Sequence, residues 1–169
     1  VALSNRAILE TLFATGMRIS ELLSLKVNQI DQTGRVYILG KGKKQRFVYL
    51  TPRALIHLKN YIAKRGSMSD MLFIPYRGRN NNEKNKKLST NYLQYKIKKY
   101  REYLDINLPI SAHTLRHGFA TYLAENGANP AAIQILLGHE SLDTTTRYVH
   151  ASDKFAEKNH HDFHPLFEK

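Results

Sequence analysis

Apolar residues recur at helical spacing from the start of the chain, where Ile8, Leu9, Leu12 and Phe13 form one stripe. This predicts a helix over 4–15, capped by Ser4 and stopped by Gly16. A short second helix follows with Ile19, Leu22 and Leu23 inward, and it leaves Arg18 at the corner between the two. The period then changes to two over 35–39 and again over 45–50, where Phe47 and Tyr49 fall on one face and Val48 and Leu50 on the other. These segments predict a β-hairpin with residues 40–44 at its tip. Thr51-Pro52 opens a third helix with Leu55, Leu58 and Ile62 inward, ending at Arg65-Gly66. The apolar run 71–74, stopped by Pro75, predicts a third strand joining the hairpin. Residues 76–88 hold RGRNNNEKNKK, too polar for a core, and predict a flexible loop. Ser89 caps a fourth helix with Leu93, Ile97, Tyr100 and Leu104 inward. Ser111 caps a fifth, stopped by Gly127, and Asn129-Pro130 opens a sixth, closed by Gly138. A last piece begins near Asp143 and carries Tyr148. No internal repeat is visible. The pattern predicts an α+β fold, mainly helical, with a small antiparallel three-stranded sheet on one side.

Length and composition narrow the classes. The 169 residues suffice for one domain with one reasonable core. No apolar run approaches the length of a membrane span, and no charged-then-apolar leader is visible. The chain begins at Val1, which suggests a piece of something longer. With no cysteine, a disulfide framework and a thiolate metal site are both excluded. The formal charge of +12 and the pI of about 9.9 point to a polyanionic partner. The positive charge is clustered: Lys41, Lys43 and Lys44 at the hairpin tip, Arg79, Lys86 and Lys87 in the polar loop, and Lys96, Lys98, Lys99 and Arg101 on one face of the fourth helix. That face carries almost no compensating acid, which favours contact with a nucleic-acid backbone. The GKGK of the hairpin tip lacks the spacing and the trailing Ser/Thr of a P-loop.

The chemistry concentrates between Ser111 and His150. His113 and Arg116 stand i, i+3, on one face of a helix. A His follows in a Gly-His turn at His139, and Tyr148 lies nine residues beyond it. An oxygen nucleophile, imidazoles and a guanidinium are thereby placed to converge on one phosphate. The run HTLRHGFAT, then LLGH, then the Tyr, together with ATGMRISELLSL and LGKGKKQRFVYL upstream, resembles the tyrosine recombinase (phage integrase-like) family. The motifs stand in the family's order and cover nearly the whole chain.

The resemblance implies a DNA breaking-rejoining fold and six active-site residues: Arg18, Lys41, His113, Arg116, His139 and Tyr148. Attack on a phosphodiester builds negative charge on the non-bridging oxygens, so preorganised positive charge is the main requirement. Arg18 and Arg116 would meet it with planar, permanently charged forks, without metal or other cofactor. Tyr148 would attack phosphorus; a free phenol has a pKa near ~10, so it needs His113 or the arginines to activate it. Lys41 would protonate the leaving 5′ oxygen, with Lys43 as the alternative. His139 would hydrogen-bond a phosphate oxygen. The product would be a 3′-phosphotyrosyl link that conserves the ester's energy, so that rejoining needs no ATP. His117 reads as a buried structural donor.

The expected organisation is one catalytic domain over 1–169, with a core to about residue 150 and a tail over 151–169. The resemblance also implies an N-terminal DNA-clamping domain, which is expected to be absent from this chain. In the tail Phe155, Phe163, Leu166 and Phe167 require a surface, and in this family such a segment docks on a neighbouring protomer. This implies double-stranded DNA as partner, a homo-oligomer (a tetramer on DNA) formed through the tail with Phe155 as candidate anchor, in trans when assembled and in cis when alone, and a cytoplasmic, nucleoid-associated location. His160, His161 and His164 lack the companions of a metal site. A type IB topoisomerase-like nicking-closing enzyme, a DNA-binding module with a dead site, and a His-dependent metal nuclease are the competing functions.

Overall fold

A computed structural model describes residues 2–39, 45–66, 69–75, 87–138 and 152–166 of the chain. Helix α1 (Ala2–Thr15) is the central element, packed against α3 (Pro52–Lys64), α5 (Ala112–Glu125) and the short α2 (Ile19–Leu23). It is buried on more than one side: Ala7, Ile8, Thr11, Leu12, Ala14 and Thr15 are all withdrawn from solvent. A fully buried Leu such as Leu12 or Leu22 contributes about 1.5–3 kcal/mol relative to exposure.

The strands β1 (Arg35–Leu39) and β2 (Gln45–Tyr49) pair antiparallel, with Arg35 opposite Tyr49 and Leu39 opposite Gln45. Their alternation divides two cores. Val36, Ile38, Val48 and Leu50 face the larger one, with α1, α2, α3 and α4 (Thr90–Tyr103). Tyr49 and, in part, Phe47 face a smaller one, with Phe119, Leu123, Ile133, Leu136 and Ala156. The hairpin is thus covered on both faces, and its two sets of side chains match the faces expected from the alternation.

The sheet has two strands among the described residues, not the three expected. Met71 forms an isolated bridge with Lys26, while the Leu72 N–H donates to the Leu25 carbonyl and the Val27 N–H to the Asp70 carbonyl. The run therefore pairs with the link after α2 rather than with the hairpin. Arg65 holds it there by donating to the Ser69, Met71 and Leu72 carbonyls. The loop 76–86 lies outside the described residues.

Helix ends from α3 onward follow the expected chemistry, whereas α1 begins at Ala2, so Ser4 lies within its first turn and does not cap it. Thr51, Ser89, Ser111 and Asn129 each accept a backbone N–H of the first turn, at the starts of α3, α4, α5 and α6 (Pro130–Leu137). Asn126 caps α5, and Gly138 closes α6 in the left-handed conformation. Leu104, expected inward, is 61% exposed, because α4 ends there and Asp105 turns the chain at φ 52°. Tyr100 is also partly exposed; its hydroxyl accepts from Asn5 Nδ2 at 2.7 Å. The tail forms a helix, α7 (Ser152–Phe163), that packs on α6 and β2 of its own chain. Among the described residues no helix is long and apolar enough to cross a membrane.

Candidate active site

Gly16 and Met17 join α1 to α2 and bring Arg18 to the rim of the larger core. Arg18 precedes α2, and its exposed side chain bonds Glu21 at 3.1 Å, i, i+3 along the chain. The Arg18 N–H also donates to Glu21, at 2.8 Å. Arg116 arrives from the last third of the chain, on α5. Its guanidinium is buried and donates to the Gly16 carbonyl at 2.6 Å and the Leu137 carbonyl at 2.7 Å. One side chain thereby ties the α1–α2 corner to the end of α6. Gly16 makes this approach possible: at φ +61° it faces the Phe119 ring, which an added Cβ would meet at 2.4 Å.

The sequence motifs gave no role to either Glu21 or Arg46. In the structure the two form a buried pair, Arg46 Nη1 to Glu21 Oε1 at 2.9 Å and Nη2 to Oε2 at 2.8 Å. Arg46 Nε donates to the Leu136 carbonyl at 3.0 Å. A signal was present: Arg46 shares the parity of Val48 and Leu50, so a charged residue occupies an inward position of an otherwise apolar face.

Two guanidinium groups thus hold one carboxylate. Burial opposes ionisation of Glu21. The Arg46 hydrogen bonds, the Arg18 backbone N–H and the charges of both arginines outweigh it and hold the carboxyl below its ordinary value. Arg116 is pushed down to about 10, first by burial and then by the charge of Arg18, with Arg46 adding to it and Glu21 opposing. It stays protonated at neutral pH, in a field that a bound anion would relieve. The Gly16 carbonyl that Arg116 binds lies two residues before Arg18, so the two side chains belong to one cluster.

His113 lies in the first turn of α5 and is exposed, one turn from Arg116. His117, expected to be buried, is exposed as well, because the helix face that carries Arg116, Phe119 and Leu123 inward turns it to solvent. Lys41, His139 and Tyr148 lie outside the described residues, as do Lys43, Lys44, Arg79 and Lys86. Lys87 and Lys99 are exposed and Lys96 is half-buried. The α4 face is less purely basic than expected: Glu102 pairs with Lys99 at 2.8 Å and with Lys98 at 3.9 Å. Lys96 lies over the Tyr92 and Tyr95 rings, 5.6 and 6.0 Å from their centroids. Solvent screens exposed ion pairs like that of Glu102, so they leave this face free to exchange partners.

The tail histidines bond the backbone of α1. His160 Nε2 donates to the Ala14 carbonyl at 2.6 Å, and His164 Nε2 to the Phe13 carbonyl at 3.2 Å. Phe155 is half-buried; the buried positions of the tail are Ala156, Asn159, His160 and His164.

An arginine cluster assembled from a first-helix corner and a late helix, beside a hairpin, is the arrangement that the sequence motifs imply. The chain belongs to the phage integrase family, the tyrosine recombinases: the family's profile matches residues 1–154. Among its curated relatives, tyrosine recombinase XerD of Pseudomonas putida is 35% identical over 168 residues, covering 95% of this chain and 54% of the relative. XerD of Staphylococcus epidermidis is 37% identical over 168 residues, with 95% and 55% covered. The chain thus spans about half the length of the curated relatives it matches. Among solved structures it is similar to XerH site-specific recombinase bound to its difH substrate, with a TM-score of 0.71 and 29% identity, over 92% of this chain and 45% of that one. It is equally similar to XerA recombinase, with a TM-score of 0.71 and 28% identity, over 96% and 59%.

Proposed function

We propose that this chain is the catalytic part of a site-specific DNA recombinase, which cuts and rejoins double-stranded DNA through a 3′-phosphotyrosyl intermediate. The observation that carries this reading is the union of Arg18 and Arg116, from distant parts of the chain, in one positively charged cluster. The two guanidinium groups bind the non-bridging oxygens of the scissile phosphate and stabilise the charge that develops there. The Tyr148 oxygen forms a bond to phosphorus while the bond from phosphorus to the 5′ oxygen breaks. The phenol proton passes to His113 or into the cationic surround, and Lys41 gives a proton to the departing 5′ oxygen. His139 donates to a phosphate oxygen. One ester is exchanged for another, so a 5′ hydroxyl of a second strand reverses the step.

The similar XerH site-specific recombinase was captured bound to its difH substrate, and the chain's own net charge of +12 supports DNA as the partner. The basic residues Lys43, Lys44, Arg79, Lys86, Lys87, Lys96 and Lys99 serve the phosphate backbone, and the tail mediates assembly on DNA by leaving its own chain for a neighbour.

The test is a suicide substrate, nicked near the cleavage site so that the severed fragment diffuses away. The wild-type chain forms a covalent protein–DNA adduct without metal or ATP, and Tyr148→Phe abolishes it. An adduct that persists in Tyr148→Phe reassigns the nucleophile; binding without any adduct in the wild type makes the chain a DNA-binding module.

A further inference from the structure

Arg46 is buried, so it is withdrawn from any ligand at the rim, yet its guanidinium is fully committed. Two of its nitrogens chelate Glu21, at 2.9 and 2.8 Å, and the third donates to the Leu136 carbonyl at 3.0 Å. Glu21 in turn accepts from Arg18 twice, from the backbone N–H at 2.8 Å and from Nη1 at 3.1 Å. Arg18 is therefore held by a carboxylate that is itself held by Arg46.

The other end of the link is equally defined. Leu136 and Leu137 belong to the last turn of α6, whose carbonyls have no partner within the helix. Arg46 takes the first and Arg116 the second. Two guanidinium groups thus receive the negative end of the α6 dipole side by side. Gly138 closes α6 directly against Arg46: a Cβ there would stand 2.9 Å from Arg46 Cδ and Nη1. The side chain is packed as well as bonded, which leaves little freedom for its fork.

Stability alone is a weak reason for such a pair. Removing two charges from water costs about as much as their attraction returns, and apolar replacements of buried ion pairs are often neutral. What an apolar pair cannot do is orient a third, exposed charge. We propose that Arg46 is a positioning residue. Through Glu21 it fixes Arg18, and through the end of α6 it fixes that guanidinium relative to Arg116, so that the spacing between the two phosphate-binding arginines is set from strand β2. This rests on the recombinase reading above.

The proposal is tested by single-turnover adduct formation on the suicide substrate at saturating DNA, with DNA affinity and thermal unfolding measured on the same proteins. Arg46→Lys keeps a charge opposite Glu21 but has no fork. It slows adduct formation about 10- to 100-fold while DNA affinity changes less than about twofold, because a small misplacement of a transition-state contact costs rate rather than binding. In a double-mutant cycle with Arg18→Lys, the losses do not multiply, since both substitutions break one unit. Glu21→Gln, which cuts the same link from its other side with its shape preserved, shows the same pattern and serves where Arg46→Lys unfolds. Wild-type rates in both variants overturn the proposal, and so do losses that multiply with that of Arg18→Lys. Absence of a Tyr148-dependent adduct in the wild type instead sinks the recombinase reading, and the role of Arg46 with it.

Discussion

Gly16 stands where a backbone carbonyl must reach the Arg116 guanidinium while the Phe119 ring lies flat against the same Cα. Gly16→Ala therefore combines a positive φ with a Cβ 2.4 Å from an aromatic carbon. The expected loss is roughly 2–4 kcal/mol, the sum of a left-handed backbone penalty and overpacking. Gly66 has a similar φ, +60°, and open space around it, so Gly66→Ala costs only about 1–2 kcal/mol. Urea unfolding of both variants checks the contrast. At this scale the sequence was legible where a motif fixed the residue, as for Arg18 and Arg116. It was silent on what each residue touches. Glu21 was passed over because its partner Arg46 comes from a strand 25 residues away, which spacing along the chain does not reveal. His117 was misjudged because the burial of its neighbour Arg116 says nothing about a side chain 100° further round the helix.

The tail helix α7 is held by histidines that must stay neutral. His160 is pushed down to about 3, by burial first and then by the neighbouring His164. His164 is pushed down to about 4 by burial, against its hydrogen bond to Phe13. His161 is lowered as well, by burial. Both folded values lie below the ordinary 6.5, so the unfolded chain takes up protons that the native one refuses. Stability is complete above about pH 6.5 and declines as the pH falls towards the folded values. Glu21 adds a loss only below its own ordinary 4.5, so the interval from pH 7 to pH 5 isolates the histidines. The thermal midpoint is expected to drop across that interval, and His160→Gln with His164→Gln to flatten the slope; an unchanged slope contradicts the assignment. Elements defined by periodicity and caps, the hairpin and α1 to α6, were legible in advance. The third strand was not, because an apolar run of four residues does not say which neighbour it pairs with. The tail was not either, because its apolar residues are spaced among buried polar ones, and only contact with α1 and β2 shows that His160, Asn159 and His164 belong inside.

For the whole molecule, the order of the motifs carried the family and hence the fold, while the two cores divided by the hairpin came from packing alone. That division explains how residues from the first, middle and last parts of the chain meet: α1 and α2 supply Arg18 from the larger core, α5 supplies Arg116 between the two cores, and β2 locks both from below. In the proposed function this assembly exchanges a DNA phosphodiester for a tyrosyl ester. Mass spectrometry of the protease-digested adduct trapped on a nicked substrate tests this exchange itself. The expected product is a nucleotide joined through its 3′ phosphate to the peptide that contains Tyr148, with a free 5′ hydroxyl on the released strand. A link to any other residue, or a 5′-phosphate linkage, would contradict it.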